Sequence, residues 1–277
     1  MSRFIVVVLL TLLFACQREG YYMEPDDMLV AGTFGSSSGN APAISTFNKT
    51  FGIVGTLSVQ TVPMAVVSHQ DTYFYKENGD NSIYTYRLGD VVKSRVAVFT
   101  GTAMCIDEIG NLAFVDRAKG ALYSTDGSNA ENKRLILLDS TLHMVSQITY
   151  VNDRFYYLST GNGICQIWSI ADDGTDKKLE LLTDGSLQRF TVDDDNIVYC
   201  TKSYGNGYDI RSKSILSGTT RILASNLPFY AFGLVAVSGR VYYSQLGKIY
   251  EYNKSYGAPV LYFELNSPVL VLQKKPR

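Results

Sequence analysis

The sequence predicts an all-β chain, a six-bladed β-propeller of four-stranded antiparallel blades in which the C-terminal strand completes the first blade. Three observations carry this expectation: a turn-centred motif recurs at nearly constant spacing, one strand of every repeat is apolar on both faces, and unpaired strand-like runs stand at both ends.

The recurring motif is an apolar run, a tight polar turn and a second apolar run rich in aromatic and β-branched residues. It reads "AVVSHQDTYFY", "CIDEIGNLAFV", "ITYVNDRFYYL", "FTVDDDNIVYC" and "VAVSGRVYYS". The last turn residues, Asp71, Gly110, Asp153, Asp195 and Gly239, are separated by 39, 43, 42 and 44 residues, and Asp27 lies a further 44 before Asp71. This period suits a four-stranded blade, and two more strand-like runs follow in each unit. The third run begins at Ile83, Leu122, Ile167, Asp209 and Ile249, and the fourth at Arg95, Arg134, Leu179, Thr220 and Pro259. Helical periodicity is nearly absent beyond the N-terminal segment.

Aligned by the turn, the second strand reads Tyr73, Ala113, Phe155, Ile197, Val241 in one column. The next is Phe74, Phe114, Tyr156, Val198, Tyr242, and the next Tyr75, Val115, Tyr157, Tyr199, Tyr243. A sheet with one wet face would alternate; three consecutive apolar columns require cover on both sides, as when each blade packs between two neighbours. At the ends, "MLVAGTF", "AISTF" and "IVGTL" lack an inward first strand, while "PVLVLQ" at Pro268 to Gln273 stands alone. Joining them closes the ring and removes an exposed sheet edge.

Before the repeats, residues 1–15 form a signal peptide: Arg3 supplies a positive start, and Phe4 to Phe14 is apolar except for Thr11. That run is too short for a permanent membrane span. "LFAC", Leu13 to Cys16, resembles the bacterial lipobox. The resemblance implies that Cys16 becomes the lipidated first residue; because "QREGYYMEP" precedes the first strand-like run, residues 16–23 read as a short tether, and the repeats assign residues 24–277 to the propeller. Acyl chains contribute about 0.8 kcal/mol per buried methylene, so several of them anchor a protein stably. By the same resemblance Gln17 after the cysteine favours the outer membrane over the inner.

Among 277 residues, 46% are apolar and 18% charged, which suits a chain with a sizeable core. The formal net charge of -1 gives no general attraction to nucleic acid; Lys274, Lys275 and Arg277 read as a solvated tail. Cys105, Cys165 and Cys200 lack C-x-x-C spacing and sit in apolar runs, which argues for small core residues rather than zinc ligands, with one bridge open to them.

Other candidate chemistry resolves mostly into turns. "QIWSIADDGTDKKLELLTDG", Gln166 to Gly185, is acidic enough to suggest a calcium loop. Counted from Asp172, however, the sixth and twelfth positions hold Lys177 and Thr183 where such a loop needs glycine and glutamate. Asp173-Gly174 and Asp184-Gly185 instead fall at strand ends, where Asp-Gly supplies a left-handed turn backbone. Asp193-Asp194-Asp195 and the two "GNG" runs, at Gly161 and Gly205, read as turns on the same grounds. Gly35-Ser36-Ser37-Ser38-Gly39 matches the nucleophile pattern in letters only, because Pro42 follows where a helix is required. His69 falls in a turn, and His143 in the connection entering the fourth blade.

The third-strand, turn and fourth-strand pattern in "LYSTDGSNAENKRLILL" (Leu122 to Leu138) and "IWSIADDGTDKKLELL" (Ile167 to Leu182) resembles that of the TolB-like and low-density-lipoprotein-receptor-like six-bladed propellers. The receptor family's Tyr-Trp-Thr-Asp signature is only echoed, by Tyr199-Cys200-Thr201-Lys202 and Tyr242-Tyr243-Ser244-Gln245. The resemblance implies a binding scaffold over residues 24–273 and transfers no ligand. By fold analogy, binding falls on the face that carries the connections into each first strand and between second and third strands. There the sequence offers Met64, Met104, His143, Gln147, Arg189, Phe229 and Tyr230 as candidate partner-binding residues. The expectation is a non-catalytic, lipid-anchored envelope module. It contacts the membrane through its N-terminal lipid and engages an envelope protein or glycan, without nucleic acid, metal or cofactor. The alternative is a propeller hydrolase, lyase or lactonase with a carboxylate or metal site in the channel.

Overall fold

The computed structural model describes residues 29–33, 41–87, 92–127, 132–203, 205–237, 239–253, 257–265 and 267–274. Asp27, the signal segment, Cys16 and its tether, and the serine run at 35–39 lie outside the described residues.

The first blade contains β1 (Leu29–Thr33), β2 (Ala43–Asn48) and β3 (Gly52–Ser58). The second holds β4 (Pro63–His69), β5 (Thr72–Glu77), β6 (Ser82–Arg87) and β7 (Ser94–Val98). The third holds β8 (Met104–Ile106), β9 (Leu112–Asp116), β10 (Ala121–Thr125) and β11 (Lys133–Leu138). A 3-10 turn at Ser140–Met144 leads into the fourth: β12 (Val145–Val151), β13 (Arg154–Gly161), β14 (Ile164–Ala171) and β15 (Lys178–Asp184). The fifth is β16 (Leu187–Asp193), β17 (Asn196–Lys202), β18 (Tyr208–Ser214) and β19 (Thr220–Leu227). The sixth is β20 (Leu234–Val237), β21 (Arg240–Gln245), β22 (Lys248–Asn253) and β23 (Val260–Glu264), and β24 (Val269–Lys274) ends the described chain.

Each blade is a four-stranded antiparallel sheet, and the first has the order β24-β1-β2-β3, so the ring closes through the C-terminal strand as the orphan runs require. Leu29 pairs with Lys274 and Ala31 with Leu272. Closure is also polar: Leu246 accepts the Val269 amide at 2.8 Å, and the Tyr262 hydroxyl accepts the Lys49 amide at 3.2 Å.

The reason for the double-sided columns is plain in the packing. Hydrophobic clusters lie between successive blades all around the ring, and alternate residues of each second strand go to opposite neighbours. On β13, Phe155 and Tyr157 pack toward the third blade, while Tyr156 and Leu158 pack toward the fifth. On β17, Ile197 and Tyr199 face the fourth blade, and Val198 and Cys200 the sixth. Cys105, Cys165 and Cys200 are buried free thiols within these clusters.

Two expectations need correction. Lys274 is not part of a solvated tail, because pairing with Leu29 makes it the last residue of the closing strand. Asp184-Gly185 is not a hairpin turn either; it links β15 to the next blade. Gly185 serves there by its small size, since a methyl group would sit 2.8 Å from the Gly163 carbonyl oxygen. The turn expectation holds at Gly174, with φ of +87° between β14 and β15, and at Asp194, with φ of +48° between β16 and β17.

Candidate functional site

The first strands of all blades surround the central channel, and their two ends form chemically different mouths. At the C-terminal ends of these strands a cavity of about 310 Å³ includes Glu108, Asp193, Asp194 and Lys274 in its lining. The Asp193 carboxylate accepts the Gly239 amide at 2.7 Å, so part of that charge joins two adjacent turns. No group of three or more His, Cys, Asp or Glu side chains suited to a metal occurs among the described residues.

At the opposite mouth, where the first strands begin, a cavity of about 180 Å³ is lined by Met64, Met104, Gln147 and Arg189, together with Phe232, Leu270 and Gln273. Four of the seven sequence candidates therefore converge on one opening. Arg189 is the single charged residue in the described lining.

The local cause is a repeated irregularity. In β4, β12 and β16 the register with the second strand slips between Pro63 and Ala65, Val145 and Gln147, and Leu187 and Arg189. Such bulges bend a strand and re-aim the side chains beside the extra residue. Gln147 then reaches the next blade: its Nε2 donates to the Phe190 carbonyl at 2.5 Å and its Oε1 accepts the Phe190 amide at 3.1 Å. One blade further on, Arg189 Nε donates to the Phe232 carbonyl at 2.9 Å and an Nη donates to the Gln188 carbonyl at 3.1 Å.

Among the described residues, the hydrogen-bond acceptors of Arg189 are neutral carbonyls and no carboxylate pairs with it. Burial pushes its pKa down, while the neighbouring Tyr230 and Cys200 favour the charged form. The intrinsic basicity of arginine nevertheless keeps the guanidinium cationic at neutral pH.

The other candidates take separate positions on this face. Tyr230 joins the Arg189 neighbourhood and packs edge-on to Tyr208 and against Phe232, with ring centroids 6.0 and 4.4 Å apart. Phe229 is 49% exposed and lines a different recess with Gln245, Leu246 and Pro268. His143 stands at the junction of the third and fourth blades: its Nδ1 bonds the Arg117 carbonyl at 2.6 Å, and Arg117 Nε donates to the His143 carbonyl at 2.9 Å. His69 belongs to the acidic end, its ring against Gly110. Phe232, Leu270 and Gln273 were not among the candidates. Gln273 is the one polar residue of "PVLVLQ", which marks it for the channel once that strand is innermost.

Asp139 holds the segment carrying His143. Its carboxylate accepts from the Thr141 amide at 2.8 Å and hydroxyl at 2.6 Å, and from Lys177 Nζ at 2.8 Å. Burial alone would raise its pKa, but the Lys177 and Thr141 bonds outweigh it and the net shift is downward. The depressed value means that folding favours the ionised form. Its contribution is complete above the unfolded value, about 3.9, and is lost as pH falls through the folded value. Asp139→Asn is therefore expected to flatten the loss of melting temperature below about pH 4; an acid limb as steep as that of the unaltered chain would contradict this assignment.

No family model and no curated protein matches the chain. Among solved structures, a β-propeller chain in the crystal structure of a nidogen/laminin complex is similar, with a TM-score of 0.71 and 11% identity over 90% of this chain and 98% of that one. At that identity the likeness establishes the shared fold. This chain is a six-bladed β-propeller.

Proposed function

We propose that this chain is a non-catalytic binding module of the bacterial cell envelope. A lipid on Cys16 tethers it, to the outer membrane by the resemblance of its signal, and the Arg189 face engages an envelope protein or glycan. The convergence of Met64, Met104, Gln147 and Arg189 on one channel mouth, with Tyr230 beside it, carries this reading. Apolar and aromatic surface around an arginine is the composition that dominates protein interfaces. The ring keeps the first-strand ends in fixed positions, so little ordering cost accompanies association.

Capture from envelope extracts tests the face. The double change Arg189→Ala and Tyr230→Ala should weaken capture, each true hot spot accounting for more than about 1 kcal/mol. Because Arg189 also bridges two blades, the comparison is made on protein with a preserved melting transition, and Arg189→Gln serves where Ala lowers it. Undiminished capture by the folded variant would reject this face. Cys16→Ser tests the tether by moving the protein from membrane to soluble fractions; membrane retention after demonstrated signal cleavage would reject lipid anchoring.

A further inference from the structure

We propose that the Arg189 mouth receives a single carboxylate carried on a short aliphatic stem, supplied by the C-terminus of a polypeptide partner. This rests on the binding-face reading and names the group recognised.

The argument begins with charge. Arg189 is half-buried, its described partners are neutral carbonyls, and the described lining around it contains no acidic residue. A guanidinium meets a carboxylate through two parallel hydrogen bonds, a stronger pairing than any with a neutral carbonyl. One cation matches one negative charge; a phosphate dianion would call for more than this opening provides.

Shape and surroundings narrow the ligand further. The opening is a small one, about 180 Å³, continuous with solvent at the channel mouth, and it suits a small terminal group rather than a whole folded element. Met64, Met104 and Leu270 supply the apolar wall, and methionine side chains adapt to varied apolar shapes. Thr102, Ser146, Gln147 and Gln273 also line the opening, so a uronic acid is the competing ligand, and glucuronate as a probe decides between them. The far mouth holds Glu108, Asp193 and Asp194 against the one cation Lys274 in its described lining, whereas the near mouth has Arg189 and no acid in its own, so the near mouth is the more favourable end for a negative group.

Binding to the full chain in detergent is measured by calorimetry with 4-methylpentanoate, 4-methylpentanamide, glucuronate and inorganic phosphate as probes. The carboxylate should bind saturably and at least about tenfold more tightly than the other three, the scale of one charge-assisted pair. Arg189→Gln should remove that preference. Met64→Asp keeps Arg189, adds a negative charge at the same opening, and should weaken carboxylate binding several-fold. Equal binding of acid and amide, tighter binding of phosphate or glucuronate, or an unchanged preference in both variants would overturn the proposal. If carboxylate binding fails while the Arg189 and Tyr230 double change still abolishes partner capture, the face stands and the carboxylate assignment alone falls.

Discussion

Deletion of residues 268–277 should abolish the cooperative melting transition of the intact ring, the largest effect expected of any change considered. The deletion removes β24, which supplies the first blade's channel-side strand and all of its pairing with β1. It also strips Val269 and Leu272, both almost fully buried, from the interface of the sixth and first blades, and Val271 from the packing between the first and second. Burial of each such side chain contributes about 1.5 to 3 kcal/mol, and the ladder bonds of β1 are lost with them. A typical domain has a total stability of about 5 to 15 kcal/mol, so losses at two interfaces of one ring consume most of it. Deletion of 275–277 spares every residue of β24 and should leave the transition in place. Calorimetry of the two truncated chains beside the full one decides the matter; similar melting of the 268–277 deletion and the full chain would refute closure by a shared blade.

That closure was legible because a propeller writes itself into sequence twice. The turn period gives the blade count, and the columns through Phe155, Tyr156 and Tyr157 state that both faces of a strand are covered, which the alternating contacts with the third and fifth blades explain. The candidate face was legible only as a set of connections. Bulges at Val145/Gln147 and Leu187/Arg189 aim Gln147 and Arg189 across to the next blade; their mark is the pair of polar residues, Ser146-Gln147 and Gln188-Arg189, that interrupts the alternation, which shows an extra residue but not where its side chain reaches. Tyr230 and Arg189 are 41 positions apart in sequence, and their proximity is a product of ring geometry. The 3-10 turn at Ser140–Met144 had a signal in Asp139, whose side chain caps it, but five residues are too few for helical periodicity to register.

The acidic stretch around Asp172 gives the second large effect, because its glycine is constrained in two independent ways. Gly174 holds φ at +87°, and a methyl group there would be driven into the backbone carbonyl oxygen of Ile136 on β11 of the neighbouring blade. Gly174→Ala therefore combines backbone strain, about 1 to 3 kcal/mol, with an overpacking cost of about 1 to 3 kcal/mol. Since β11 is paired within its own sheet, the obstruction cannot be relieved by turning a side chain, and the third and fourth blades have to separate locally. Gly218 is the natural comparison: its φ is +69°, but nothing lies within 4 Å of an added methyl group. Gly218→Ala should incur the backbone term alone. In a chain of this size roughly 2 to 4 °C of melting temperature accompany each kcal/mol, so Gly218→Ala should melt at least about 2 °C below the unaltered chain, and Gly174→Ala clearly lower again. Equal shifts for the two variants would show that the Ile136 carbonyl yields without cost and that this turn constrains the blade interface no more than an open one does.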